Sequence, residues 1–168
     1  MVGDGFRVHG FFPGGRIDKR RMSPFFLMDY NAAIEFPPHG TSVSNQTDSH
    51  RIYEPERFGG QIVHYTEAVA DGCRPRTGDA FVRIQGVFPD WDNEARRPGR
   101  GSVMTGSTPR KYKDWLSGVI SLARGEKIAG RSVIAINAWN EWTEGSYLEP
   151  DTVYGLGYLA AIRDLFGQ

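Results

Sequence analysis

The feature that most constrains the fold is a series of short apolar runs, each closed by glycine or proline. The clearest run is Ser132–Trp139, and residues 80–88 carry a similar one. Runs of this length that are rich in β-branched residues are typical of strands buried on both faces, as in a parallel sheet. Shorter apolar runs lie at residues 25–28, 32–36 and 61–65. We therefore predict a parallel β-sheet in which the strands near 32–36, 61–65, 80–88 and 132–139 are neighbours in chain order.

Two segments have the apolar spacing of helices. In residues 109–124 the apolar side chains form one stripe on a helix with 3.6 residues per turn. Thr108 is a suitable N-cap, and Pro109 suits the first helical position. A second helix is predicted near 155–166, and a weaker one near 67–70. Strands that alternate with helices indicate an α/β fold, which we expect to form one domain over residues 1–168.

The composition excludes several classes of function. The chain has 168 residues with 20 Lys+Arg and 20 Asp+Glu, so it has no basic face for nucleic acid or an anionic membrane. It has no apolar run long enough to span a bilayer and no leader pattern at its start, so we expect a cytoplasmic protein. The single cysteine, Cys73, excludes an internal disulfide and a cysteine-based zinc site. No motif indicates a cofactor or a metal, and we expect neither.

The most informative segment is residues 137–151, directly after the clearest strand. It contains four acids and no lysine or arginine to pair with them: Glu141, Glu144, Glu149 and Asp151. A tryptophan beside a carboxyl group provides an apolar wall that raises the carboxyl pKa, as a general acid requires. Two acids in different surroundings are the working pair of glycosidic-bond chemistry. The alternative is a solvated acidic loop whose tryptophans close the end of the core.

Two further segments follow predicted strands. Residues 88–97 contain Asp90-Trp91-Asp92, an Asp-x-Asp pattern that holds a metal in some enzymes but is also common in turns. Arg96 and Arg97 begin an acid-free basic stretch at 95–113, which is either a solvated face or a contact for an anionic substrate group. In residues 34–40, Glu35 and His39 are candidates for the same rim of the sheet.

Together these segments resemble the WbsX-type glycosyltransferase family, also described as glycoside hydrolase family 99-like. The most specific match is residues 137–151 with the following Tyr154–Leu159, and residues 32–40, 88–97 and 107–116 match upstream blocks of the family. The resemblance covers residues 28–166. It implies a (β/α)8 TIM-type barrel that acts on glycosidic bonds in bacterial surface-polysaccharide metabolism, such as O-antigen or capsule.

The resemblance also implies roles for individual residues. Glu141 is expected to act as a base toward the sugar 2-hydroxyl, and Glu144 as general acid/base at the glycosidic oxygen. That mechanism passes through a 1,2-anhydro sugar and needs no carboxylate nucleophile. The residues expected to bind the carbohydrate substrate are Glu35, Trp91, Asp92, Asn93, Asn140 and Trp142. Whether the reaction is hydrolysis or transfer stays open.

The chain departs from the family in two ways. Glu94 stands where a small hydroxyl residue is expected and Asp90 where glycine is expected, which makes the Asp-x-Asp pattern look accidental. The chain is also shorter than family members and corresponds to the carboxyl-terminal half of the barrel. Half a barrel leaves strand edges unpaired, so we expect a homodimer through these open edges or a truncated protein. The alternative to an enzyme is a non-catalytic sugar-binding remnant.

Overall fold

The computed structural model describes residues 32–77 and 81–167, so the predicted run at 25–28 lies outside the described residues. The strands and helices follow each other in this order: β1 (Ala32–Ile34), β2 (Gln61–His64), α1 (Tyr65–Gly72), β3 (Val82–Val87), β4 (Ser102–Thr105), α2 (Pro109–Ala123), β5 (Ile134–Ile136), β6 (Asn140–Glu141), β7 (Ser146–Tyr147) and α3 (Gly157–Phe166). The α/β fold class is therefore confirmed.

The main sheet has three parallel strands in the order β1-β3-β5. β1 pairs with the first half of β3, with Ala33 opposite Arg83, and β5 pairs with its second half, with Gly86 opposite Ala135. Helix α1 lies between β1 and β3 in the chain, and α2 lies between β3 and β5. Because all three strands run in the same direction, the segments that follow them leave the sheet at one edge.

The predicted strand order was wrong for residues 61–65. β2 does not join the main sheet but pairs in parallel with β4, with Val63 opposite Met104. β4 was not predicted because the glycines and prolines of residues 98–109 hide a four-residue strand. Gly101, just before it, packs against the backbone of Glu94, where an added Cβ would lie 2.7 Å from the Glu94 Cα. These glycines shape the turn that leads into the strand.

The three helices agree with the predicted segments. In α2 the Thr108 side chain accepts a hydrogen bond from the Lys111 backbone N–H at 3.2 Å, and Pro109 is the first helical residue. The predicted stripe is buried: Tyr112, Trp115, Leu116, Val119 and Ala123. α2 packs between α1 and α3 and against β3 and β5. No helix of residues 32–77 and 81–167 is long and apolar enough to cross a membrane.

The core lies between the main sheet and α2. Val87, Ile134 and Ile136 share one face of the sheet and belong to the apolar cluster that includes the α2 stripe. Ile84 is also buried but alternates to the other face and lies outside that cluster. Packing on the helix side thus fixes the sheet, and with it the edge where β3 and β5 end.

Candidate active site

Two segments meet at the edge where β3 and β5 end. The first, the arginine loop, is residues 92–100, and the second, the acidic hairpin, is residues 140–147. Asn137 donates its backbone N–H to the Val87 carbonyl at 2.8 Å, which extends the pairing of β3 and β5 to this edge. Asp92 donates its N–H to the Glu144 carbonyl, also at 2.8 Å. The arginine loop and the acidic hairpin are therefore held in direct contact.

The acidic hairpin consists of β6, a 3₁₀ turn over Trp142–Glu144, and β7. Gly145 ends the turn with φ 62°, a left-handed conformation that favours glycine, and an added Cβ would lie 3.0 Å from the Asp92 N. Ser146 is fully buried and donates to the Asn137 carbonyl at 2.6 Å. These contacts fix the backbone of the hairpin next to the two candidate catalytic acids, Glu141 and Glu144.

Arg96 of the arginine loop joins the two candidate catalytic acids. Its Nη1 donates to Glu144 Oε1 at 2.8 Å, and its Nη2 donates to Glu141 Oε1 at 3.0 Å. Nη2 also lies 2.9 Å from Thr143 Oγ1, whose hydroxyl donates to Glu141. The interpretation that these acids have no basic partner is therefore wrong. The partner comes from a segment 45 to 48 residues earlier in the chain.

The arginine loop is braced from inside by its own side chains. The two Glu94 oxygens accept the backbone N–H groups of Gly99 and Gly101. Asn93, buried with 7% exposure, accepts the Ser102 N–H at 2.7 Å through Oδ1. The family resemblance leads one to expect a small residue at position 94. Glu94 instead holds the two ends of the loop that carries Arg96 together through these hydrogen bonds.

The acidic hairpin and the residue before it expose aromatic surface beside the acids. Trp139 and Trp142 are 55% and 50% exposed. The Trp142 ring stacks on Tyr147 with ring centroids 3.6 Å apart and an interplanar angle of 17°. Its Nε1 donates to Glu149 Oε2 at 2.6 Å. The tryptophan of the turn therefore packs against Tyr147 and Glu149.

Six of the eight predicted site residues belong to this contact region, but not all of them present their side chains. The side chains of Glu141, Glu144, Asp92, Asn140 and Trp142 lie at least partly exposed on the two segments. Asn93 belongs to the arginine loop, but its buried side chain holds the loop to β4.

The other two predicted site residues lie elsewhere. Trp91 is 1% exposed, and its ring packs edge-on against Phe88 and His39. Glu35 forms ion pairs with Arg76 and Arg83 at 3.3 and 3.2 Å. Burial therefore closes the Trp91 ring to a ligand, and the Glu35 carboxylate pairs with arginines other than Arg96.

Asp90 is partly buried and lies between the end of β3 and the arginine loop. Its Oδ1 accepts the Trp91 N–H at 2.8 Å, and burial raises its pKa. Asp92 Oδ1 accepts the Glu94 N–H at 2.9 Å. Both carboxylates of the Asp-x-Asp pattern therefore make local turn contacts.

Sequence reasoning did not include Thr143 or Tyr147 among the predicted site residues, and it named Arg96 and Glu149 without placing them against Glu141, Glu144 and Trp142. The signal for Arg96 was the acid-free basic stretch at 95–113, for which an acidic partner elsewhere in the chain was not considered. Tyr147 follows Trp142 by five residues, and only the hairpin turn brings their rings together.

Comparison with known proteins identifies the family. The family model described as Glycosyltransferase WbsX matches residues 15–162. The chain belongs to this family. Two relatives, both called uncharacterized protein WxcX and from two strains of Xanthomonas campestris pv. campestris, are 36% identical over 134 residues. The match covers 80% of this chain but 19% of each relative, so the chain spans about a fifth of their length. No solved structure matches the chain.

Proposed function

We propose that this WbsX-family chain carries the acid/base residues of an enzyme that makes or cleaves glycosidic bonds in bacterial surface polysaccharides. The observation that carries the proposal is the convergence of Glu141 and Glu144 on one guanidinium group at the edge of a parallel sheet. Ligands of open α/β sheets bind outside the carboxyl ends of the strands, which is where these carboxylates lie.

The two acids differ in exposure, which suits different roles. The Glu144 side chain is 14% exposed and the Glu141 side chain 36%. We assign the more buried Glu144 to proton transfer at the glycosidic oxygen, because a water-poor position favours a defined geometry for that step. Glu141, nearer to solvent, takes the proton of the sugar 2-hydroxyl.

Arg96 orients these carboxylates before the substrate binds. A guanidinium group is planar and donates in a fixed fork, so the two bonds from Nη1 and Nη2 restrict where each Oε1 lies. A sugar hydroxyl that reaches either carboxylate competes with Arg96 for the same oxygen. Asp92 and Asn140, exposed at the same edge, provide further acceptors for sugar hydroxyls.

The three-stranded sheet is proposed as part of a (β/α)8 barrel. Its parallel strands have a helix between consecutive members, which supports this proposal, although β2 and β4 pair outside this sheet. β1 and β5 are the outer strands of this sheet. Pairing of these edges with a second copy, or with the remainder of a longer protein, would complete the barrel. The predicted homodimer stays a prediction that light scattering after size-exclusion chromatography tests.

A non-catalytic sugar-binding protein is the second candidate. Arg96 favours it, since both acids are already ion-paired in this structure. Under this alternative the chain binds carbohydrate but does not turn over any glycosidic substrate.

Substitution Glu144→Gln separates these functions. We expect turnover of oligosaccharides or nucleotide sugars to fall by about 10²–10⁴-fold, with folding and sugar binding retained. Glu54→Gln is the matched control, because Glu54 also pairs with an arginine, Arg57, but lies outside the acidic hairpin. Turnover unchanged in Glu144→Gln would refute the catalytic assignment. Sugar binding without turnover by the unsubstituted chain would support the binding protein.

A further inference from the structure

Two half-exposed tryptophans lie in the segment after β5, and of the two only the ring of Trp142 has a stacking or hydrogen-bond partner among residues 32–77 and 81–167. Trp139 and Trp142 have similar exposure, 55% and 50%. The backbone carbonyl of Trp139 accepts the N–H groups of Leu148 and Glu149, which fixes its main chain. The indole of Trp142 is fixed in two ways, by a stack and by a hydrogen bond.

The two anchors of Trp142 act on different parts of the ring. Tyr147 covers one face, with the rings nearly parallel at 17°. Glu149 accepts the indole N–H at 2.6 Å, which prevents rotation of the ring in its plane. Since Tyr147 covers one face and half of the residue is exposed, we infer that the opposite face is open to solvent.

We propose that the open face of Trp142 is a binding platform for a pyranose ring, and that Tyr147 and Glu149 are its positioning residues. An aromatic face carries negative partial charge, and the C–H bonds on one side of a pyranose present positive partial charge to it. A ring that is already held in place loses little conformational entropy when the sugar binds.

The location of the platform defines its role relative to the acids, and this part rests on the proposed function. Trp142 begins the 3₁₀ turn that ends at Glu144. Two residues of a 3₁₀ helix rise about 4 Å along its axis. The platform therefore belongs to the same short turn as Glu144, and we infer that both contact the same saccharide.

The test is binding of four methyl glycosides to the 168-residue chain: methyl α-D-glucopyranoside, methyl α-D-mannopyranoside, methyl β-D-galactopyranoside and methyl α-L-rhamnopyranoside. Saturation-transfer NMR gives the dissociation constant for each. We expect Trp142→Ala to weaken binding roughly 5- to 100-fold, the range set by stacking of nucleobases on aromatic side chains. Trp139→Ala is the matched control, since it removes an equally exposed indole two residues before Glu141, and it should leave binding unchanged.

Two further variants test the anchors. Glu149→Gln keeps an acceptor for the indole N–H and should retain binding, whereas Glu149→Leu removes it and should weaken binding without unfolding the chain. Equal effects of Trp139→Ala and Trp142→Ala, or no binding of any of the four glycosides, would overturn the platform. Glu144→Gln should still bind these sugars, so a failure of the catalytic proposal appears in turnover and a failure of the platform in binding.

Discussion

Trp91 provides a direct test of whether the 88–97 segment is turned toward the core or toward a sugar. The structure buries it to 1% exposure, in edge-on contact with Phe88 at 6.4 Å and His39 at 5.9 Å. Truncation of a buried tryptophan to alanine costs about 3–5 kcal/mol, from lost transfer free energy and the cavity that remains. For a chain of this size, each kcal/mol lowers the melting temperature by about 2–4 °C. We therefore expect Trp91→Ala to melt roughly 6–20 °C below the unsubstituted protein.

The assay is thermal unfolding followed by circular dichroism, with urea denaturation to obtain the free energy. Trp91→Phe should lose much less stability, since it keeps a ring in the core and removes an indole N–H that has no hydrogen-bond partner within the described residues. Trp139→Ala, at 55% exposure, should change stability by less than about 0.5 kcal/mol. If Trp91→Ala melted like the unsubstituted protein but lost sugar affinity, the burial of this ring would be incorrect.

Two further predictions concern charged groups at the edge. Because burial raises the pKa of Asp90 above its usual 3.8, the folded protein keeps this proton to a higher pH than the unfolded chain, and stability falls as the pH rises past that value. Asp90→Asn should gain stability relative to the unsubstituted protein as the pH rises past about 4 in urea denaturation, until the folded carboxyl is also ionised, and a pH-independent difference would contradict this cause. The Arg96 side chain is 49% exposed, so Arg96→Ala should cost no more than about 1 kcal/mol of unfolding free energy. That cost should shrink in about 1 M NaCl, and a larger, salt-insensitive loss would show that Arg96 holds the fold.

Local sequence pattern was sufficient for the elements whose stabilising contacts are local or periodic. The stripe of α2 was visible because its buried residues recur every three or four positions, and its cap residue, Thr108, acts on Lys111 three positions later. β5 was visible because its residues are all apolar, and β3 because apolar residues flank and alternate with Arg83 and Gln85 in a short run closed by proline. The end of β5, where the acids follow, marked the correct edge of the sheet.

Pairings between segments that are far apart in the chain could not be predicted from the local sequence pattern. β4 became a strand because β2 supplies its partner 41 residues earlier, and nothing within Ser102–Thr105 indicates this. The same is true of Arg96, whose carboxylate partners lie in another segment. Trp91 was assigned to sugar binding because the family resemblance implies it, but its ring packs against Phe88 and His39.

The bond between Arg96 and Glu144 closes a loop of 48 residues, and this has a consequence for folding. Contacts between residues far apart in sequence form only after the entropy of loop closure has been overcome, and they tend to form late. During synthesis the arginine loop leaves the ribosome before α2, β5 and the acidic hairpin have been made. We therefore expect the acids to meet Arg96 when β5 docks on β3, so that the edge with the candidate acids assembles together with the sheet.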